Sequence, residues 1–170
     1  NYFDDKIIFS VGGKIFTHNP SLGIQEPLLP QDLNNIKEIN ISPSGYYVSI
    51  INDSGNLYIF DRKSLVLSKI AENAALSSFS PNSQKIAFIN TSNEIQTHIL
   101  ELSEKYAQEK PSRFNLGSIN KKIIWYGDSS HLFIKYPSGL YLLETSGLPP
   151  INLQLIDLET GKFQYSAEEN

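Results

Sequence analysis

Four short apolar segments recur along the chain with similar wording: Lys6-Ile7-Ile8-Phe9, Tyr47-Val48-Ser49-Ile50, Lys85-Ile86-Ala87-Phe88 and His131-Leu132-Phe133-Ile134. Their starts lie 41, 38 and 46 residues apart, and self-similarity at a period of about 42 residues marks a repeat architecture. Each segment is followed, 8 or 9 residues after its start, by a second run of β type: Lys14-Ile15-Phe16, Asn56-Leu57-Tyr58-Ile59-Phe60, Glu94 to Leu100, and Gly139 to Leu143. The breaks between them include Val11-Gly12-Gly13, Asn52-Asp53-Ser54-Gly55 and Pro137-Ser138-Gly139. Such breaks supply the residues that take positive φ at tight hairpins, so the pattern predicts one β-hairpin per repeat.

A third run, closed by a turn, precedes three of the hairpins. It reads Ile39-Asn40-Ile41-Ser42 before Pro43-Ser44-Gly45, Leu76 to Ser80 before Pro81-Asn82-Ser83, and Ile123-Ile124-Trp125-Tyr126 before Gly127-Asp128-Ser129. Proline presets φ in such turns, and Asn, Asp and Ser bond their own backbone. Fourth strands are expected at Leu22 to Leu29, Leu65 to Ile70, Arg113 to Leu116 and Ile151 to Leu158. Four antiparallel strands per period of about 42 residues is the signature of a propeller blade, whose repeat runs about 40 to 45 residues. The fold class expected is all-β, a β-propeller of about four blades or a fragment of a larger one, with 1–170 as one domain. Blades are placed at 36–71, 74–117 and 121–158, after an opening piece, 6–29, that lacks its first strand. The run 162–165, Lys162-Phe163-Gln164-Tyr165, would supply that strand and close a four-bladed ring. The alternative is a piece of a ring of six to eight blades, within the usual range of about four to eight. Helix is expected at most over Gln31 to Glu38, after Pro30, and Ser103 to Lys110, stopped by Pro111.

The repeats resemble the TolB-type, WD-like propeller family. The resemblance is carried by Phe79-Ser80-Pro81-Asn82-Ser83-Gln84-Lys85-Ile86-Ala87-Phe88, by Ile41-Ser42-Pro43-Ser44-Gly45 and by Asn152-Leu153-Gln154-Leu155-Ile156-Asp157-Leu158-Glu159-Thr160-Gly161. The fourth unit departs from it, with Gly127 where the family has proline and a Leu148-Pro149-Pro150 extension. Trp125-Tyr126 and Leu148 to Leu153 also look like the propellers that follow PEGA domains in bacterial surface proteins. The resemblance specifies the blade rather than a chemistry, and it implies an extracytoplasmic setting, periplasm or cell surface.

Charge narrows the partners. With 14 basic against 18 acidic residues, a net charge of -4 and Arg62 and Arg113 as the only arginines, the chain offers no basic face for a phosphate backbone, so nucleic acid is not expected. A content of 40% hydrophobic and 11% aromatic residues is that of a chain that folds. No run approaches the roughly 18 apolar residues of a membrane span. The absence of cysteine removes thiol catalysis and thiolate metal sites. Asn1 in place of a starting methionine is what a processed product or an excised piece would show.

The search for chemistry is negative. Asp128-Ser129-Ser130-His131 brings three triad residue types into one stretch, but neighbours on a turn are expected to point apart, and there is no Gly-x-Ser-x-Gly elbow. His18, His98 and His131 are far apart in sequence and lack metal-ligand spacing. Asn52 to Asn56 lacks the distal glutamate of a calcium loop and reads as a hairpin turn. Two arginines do not make the cluster a sialidase needs. The sequons at Asn40, Asn52 and Asn90 are about as many as composition alone predicts. The 19 aromatics fall mostly at alternating strand positions, as core residues do, and one of Tyr46 and Tyr47 is expected to be exposed.

No catalytic, cofactor or metal residue is therefore assigned. The function expected is a non-catalytic scaffold that binds a protein or peptide on the hairpin turns, through Asn52, Asp53, Asn56, Asn90 and Asn93. The alternatives are a substrate-gating propeller of a larger serine hydrolase and a structural spacer that self-associates through unpaired edges.

Overall fold

The computed structural model describes residues 2–3, 6–29, 32–100, 113–115, 122–136, 139–145 and 153–157. Among them, all regular structure is β, arranged as four four-stranded sheets in which consecutive strands are neighbours. The first sheet holds β1 (Tyr2–Phe3), β2 (Lys6–Val11), β3 (Lys14–Asn19) and β4 (Ile24–Pro27). The second holds β5 (Ile36–Ile41), β6 (Tyr47–Asn52), β7 (Leu57–Asp61) and β8 (Val66–Ala71). The third holds β9 (Ala74–Phe79), β10 (Lys85–Asn90), β11 (Glu94–Ile99) and β12 (Arg113–Asn115). The fourth holds β13 (Ile124–Trp125), β14 (His131–Tyr136), β15 (Gly139–Glu144) and β16 (Leu153–Asp157). The chain divides into two compact units, Asn1–Ala74 and Ala75–Asn170.

Each unit has its own core, built from alternate residues of the second and third strands. In the first unit Ile8 and Ile15 of the first sheet pack with Val48, Ile50 and Phe60 of the second, and Leu29 and Leu33 of the linking segment close the cluster. In the second unit Ala87, Ile89 and Ile95 of the third sheet meet Trp125, Leu132, Ile134 and Leu143 of the fourth. Each large side chain buried in this way contributes about 1.5–3 kcal/mol. The fourth strands contribute unevenly: all four residues of β4 are exposed, whereas Phe114 of β12 belongs to the second cluster.

One turn recurs between the first and second strands. Ser42, Ser80 and Tyr126 each donate their backbone N–H to the carbonyl of the residue five further on, Tyr47, Lys85 and His131. Gly45, Ser83 and Ser129 close the turn with φ of 70°, 63° and 59°. The hydroxyls of Ser42 and Ser80 accept from the amides of Tyr47 and Lys85, both at 3.0 Å. The left-handed conformation costs a non-glycine residue about 1–2 kcal/mol. At Ser129 a bond from the Asn82 amide to its hydroxyl, 3.1 Å, helps to offset that cost. The same bond ties the third sheet to the fourth, as does the Trp125 indole, which donates to the Ser78 carbonyl at 3.0 Å.

The strands follow the apolar pattern with shifted ends, and two elements differ. Gln31 to Glu38 does not form a helical turn over its described part, because Asn34 takes φ 54° and Ile36 already pairs with Asn52 in the sheet. The first sheet has a first strand, since Tyr2 pairs with Ile7 and Phe3 with Lys6. A two-residue strand carries no periodicity that a sequence can show. The expected closing strand at 162–165 and the expected helix at 103–110 lie outside the described residues. No helix among the described residues is long and apolar enough to cross a membrane.

Trp125→Phe keeps most of the buried area and removes only the indole donor, leaving the Ser78 carbonyl without it. Chemical denaturation should show a loss of about 2 kcal/mol. A loss under about 0.5 kcal/mol would mean that the indole bond does not hold the two sheets together.

Candidate functional site

The residues chosen from the sequence fall in two hairpin turns, one in each unit, built by the same device. In the first, Asn52 accepts the Asn56 amide on its side-chain Oδ1 at 2.9 Å, and Gly55 donates its amide to the Asn52 carbonyl at 2.9 Å. In the second, Asn90 accepts the Glu94 amide at 2.9 Å and the Ser92 amide at 3.0 Å on Oδ1, and Asn93 donates to the Asn90 carbonyl at 3.0 Å. The positive φ required at the fourth position is supplied by Gly55, φ 75°, in one turn and by Asn93, φ 61°, in the other. Asparagine is among the few non-glycine residues that take this conformation readily.

Three of the five residues, Asn52, Asn90 and Asn93, therefore build the turns. Asn52 is 4% exposed, and its Nδ2 donates to the Leu33 carbonyl at 3.3 Å, which fastens the hairpin to the segment linking the first and second sheets. The Asp53 amide donates to the Asn35 carbonyl at 2.8 Å, and the Ala74 amide to the Gly55 carbonyl at 2.8 Å, so linkers brace the turn on two sides. Gly55 is held closely: a β-carbon there would stand 3.1 Å from the Asn73 Cα. Asn90 donates from Nδ2 to the Glu94 carboxylate at 2.8 Å. What remains for a partner is the tips. Asp53 and Ser54 are exposed in one turn, and Thr91 and Ser92 in the other, with Asn56 and Asn93 half-buried at their bases. Ser54, Thr91 and Ser92 escaped the sequence reading, although their place in the middle of each Asn-led turn marks them as tip residues.

The Asp128 to His131 stretch corrects an expectation. Its end residues do not point apart: the left-handed Ser129 folds the turn so that the Asp128 carboxylate meets the His131 Nδ1 at 2.6 Å. The same carboxylate accepts the amides of Ser130 at 2.8 Å and His131 at 3.1 Å. Burial alone would raise its pKa, but these amides and the imidazole together hold it below the usual carboxylate range. Neither serine addresses the ring. The Ser129 hydroxyl takes the Asn82 amide, and that of Ser130 lies 3.5 Å from the Asp128 carbonyl, so neither of these two serines completes a triad with the dyad, which fixes the turn.

Of the remaining histidines, His98 stands in β11 opposite Ile86, and burial pushes its pKa below the ordinary value. His18 is half-buried in β3. Among the described residues no three His, Asp or Glu side chains gather as metal ligands. Lys85, 1% exposed at the start of β10, is a buried lysine that the apolar pattern did not foretell. Of the tyrosine pair it is Tyr46 that is exposed, at 45%, with the Lys63 ammonium 3.7 Å from its ring centroid.

Solved structures fix the class of this architecture. The chain is similar to Hsv2 of Kluyveromyces lactis, with a TM-score of 0.67 at 14% identity over 92% of this chain and 59% of that one. It is similar to the N-terminal domain of Nup159, with a TM-score of 0.61 at 10% identity over 92% of this chain and 46% of that one. The tricorn protease matches with a TM-score of 0.61 at 13% identity over 82% of this chain and 16% of that one. At such identities the likeness establishes the fold alone: the four sheets are blades of a β-propeller. The chain spans less than two thirds of the length of each of these structures. No protein-family model matches the sequence, and no curated protein does.

Asn52→Ala removes a buried amide that serves two backbone partners and should cost about 2 kcal/mol in denaturant unfolding, against about 1 kcal/mol for Asn90→Ala, whose turn water can reach. Equal losses would mean that the burial of Asn52 and its Leu33 bond add nothing to what the more accessible bonds of Asn90 supply. A second outcome concerns pH. Because the folded value of His98 lies below its unfolded value, the unfolded chain takes the proton first. Its contribution is complete above about pH 6.5 and declines as pH falls through the folded value. The His98→Gln variant should lose less stability than the parent between about pH 7 and 5; parallel curves would place His98 in water.

Proposed function

We propose that the chain is a non-catalytic propeller scaffold that presents the tips of its hairpin turns to a protein or peptide partner. The observation that carries the reading is the shared construction of the two turns. In each, an asparagine satisfies the backbone from within, and two short polar side chains are left exposed on a rigid support. Loops held by a rigid scaffold are where binding residues concentrate, and fixing them beforehand lowers the entropy lost on association. In this reading Asn52 and Asn90 position the turns, Asp53, Ser54, Thr91 and Ser92 make contact, and Asn56 and Asn93 border it. The serine hydroxyls beside the Asp128 and His131 pair are engaged with the backbone, which supports a role without catalysis. The extracytoplasmic setting belongs to the same proposal and rests on the TolB-type wording of the blades.

A displayed library of random peptides selected on the immobilised 170-residue chain tests the reading. Peptides enriched on the parent should bind the Asp53→Trp or Thr91→Trp variant at least tenfold more weakly, while the melting temperature of each variant stays within about 2 °C of the parent. Undiminished binding to both variants would remove the hairpin tips as the site.

A further inference from the structure

We propose that the outer edge of the fourth sheet is a self-association site, at which β16 of one copy pairs antiparallel with β16 of a second copy across a two-fold axis. An outer strand presents a row of N–H and C=O groups able to accept another strand, and sheets that stay separate block that row with charge, proline or brevity. Three of the four outer strands carry such a block. β4 has Glu26 and ends at Pro27, both exposed. β8 has the exposed Lys69 in its middle, paired with Glu72 at 2.6 Å. β12 is three residues long and begins with the exposed Arg113.

β16 carries none of these over Leu153 to Ile156, and its one charged residue, Asp157, falls at its end, outside the regular pairing with β15. Leu153, Leu155 and Ile156 stand 39%, 42% and 48% exposed, and Gln154 between them is exposed as well. Its neighbour on one side is β15, and no strand pairs with its other side among the described residues. The pairing with β15 is regular from Leu153 to Leu155, with Leu143, Leu142 and Tyr141 as partners, and shifts register beyond.

The regular part is complementary to itself. Leu153-Gln154-Leu155 reads the same in both directions, so antiparallel pairing with a second copy sets leucine opposite leucine on one face and Gln154 opposite Gln154 on the other. Side chains alternate across a strand, and directly opposed pairs stabilise a sheet by about 0.2–1 kcal/mol each. The segment is uncharged, so two copies of a chain with net charge -4 meet here without opposing like charges. β4 or β8 paired with its own copy would bring Glu26 or Lys69 close to its mate. A second copy is thus the occupant that the residues specify, in the isologous arrangement commonest among soluble oligomers. A contact this short lies below the area of stable interfaces, so it is weak, with a dissociation constant on the order of 10⁻⁴ M.

Sedimentation equilibrium of the 170-residue chain from about 10 μM to 1 mM tests the proposal. The average mass should rise from 19.1 kDa toward twice that value with increasing concentration. Leu155→Lys, which gives β16 the block that Lys69 gives β8, should remain monomeric with an unchanged melting temperature. Gln154→Glu, a milder change that places two carboxylates on the axis, should weaken association at least tenfold at neutral pH. Backbone amides of 153–155 should exchange more slowly at the high concentration than at the low. A mass of 19.1 kDa throughout, association unaffected by both variants, or exchange at 153–155 independent of concentration would each overturn it.

Discussion

The left-handed residue that ends the first turn of the second, third and fourth sheets, Gly45, Ser83 or Ser129, sets the register of the strand that follows, and the packing of both units depends on that register. A strand has a side-chain period of two, so a slip by one residue would move its whole apolar set to the opposite face. Were β6 to slip against β5, Val48 and Ile50 would leave the cluster that they form with Ile8 and Ile15. The turn prevents this by geometry. Ser42 and Ser80 clamp the first residue of the next strand with both backbone and hydroxyl, and Tyr126 does so with its backbone alone. At the fourth sheet the missing hydroxyl is replaced by Asp128, whose carboxylate takes the amides of Ser130 and His131. One structural requirement is thus met by two side-chain chemistries.

The same economy governs the hairpins that follow β6 and β10. An asparagine closes the turn by accepting the amide four residues on, and the fourth position is glycine in one case and asparagine in the other. The residues between are released from structural duty, because the backbone is already satisfied. Sequence can vary there at little cost to the fold, which is the property a recognition loop requires. The Asn52 turn is the more tightly held of the two. It is braced by linkers that run past Leu33 and Asn35 on one side and Asn73 and Ala74 on the other. Its tip residue Asp53 therefore projects from backbone fixed on both flanks.

Repetition made the architecture legible from the chain alone. The Lys-Ile-Ala-Phe wording at Lys85 and its relatives at Lys6, Tyr47 and His131 fall on the second strands of the four sheets. What escaped was either too short or dependent on tertiary contact. Tyr2–Phe3 has no period to detect. Ile36 to Glu38 follows Pro30 and looks helical in isolation, yet pairing with β6 draws it into a strand, so tertiary structure overrides local preference there. Asn52 was read as a contact residue because it sits in a polar turn. Its bond to Leu33, 19 residues away in sequence, is invisible until the chain has folded. The Asp128 and His131 contact was missed for a related reason: the left-handed Ser129 that brings the two together is occupied by a residue that seldom adopts that conformation.

The gradient of burial within each sheet separates what the fold needs from what it leaves open. Second strands such as β10, buried over five of its six residues, are constrained by packing on both faces. β4 is exposed throughout and β8 at three of its six residues, and exposed aliphatic residues stand at Leu22 and Leu65 in the preceding turns and at Val66 on β8 itself. Leu65 even holds φ 59° without glycine, kept there by the Asp61 carboxylate, which accepts the Lys63 and Ser64 amides and the Ser64 hydroxyl. A blade is consequently stable from its middle outward. Its turns and outer strands are the surfaces free to differ from one blade to the next.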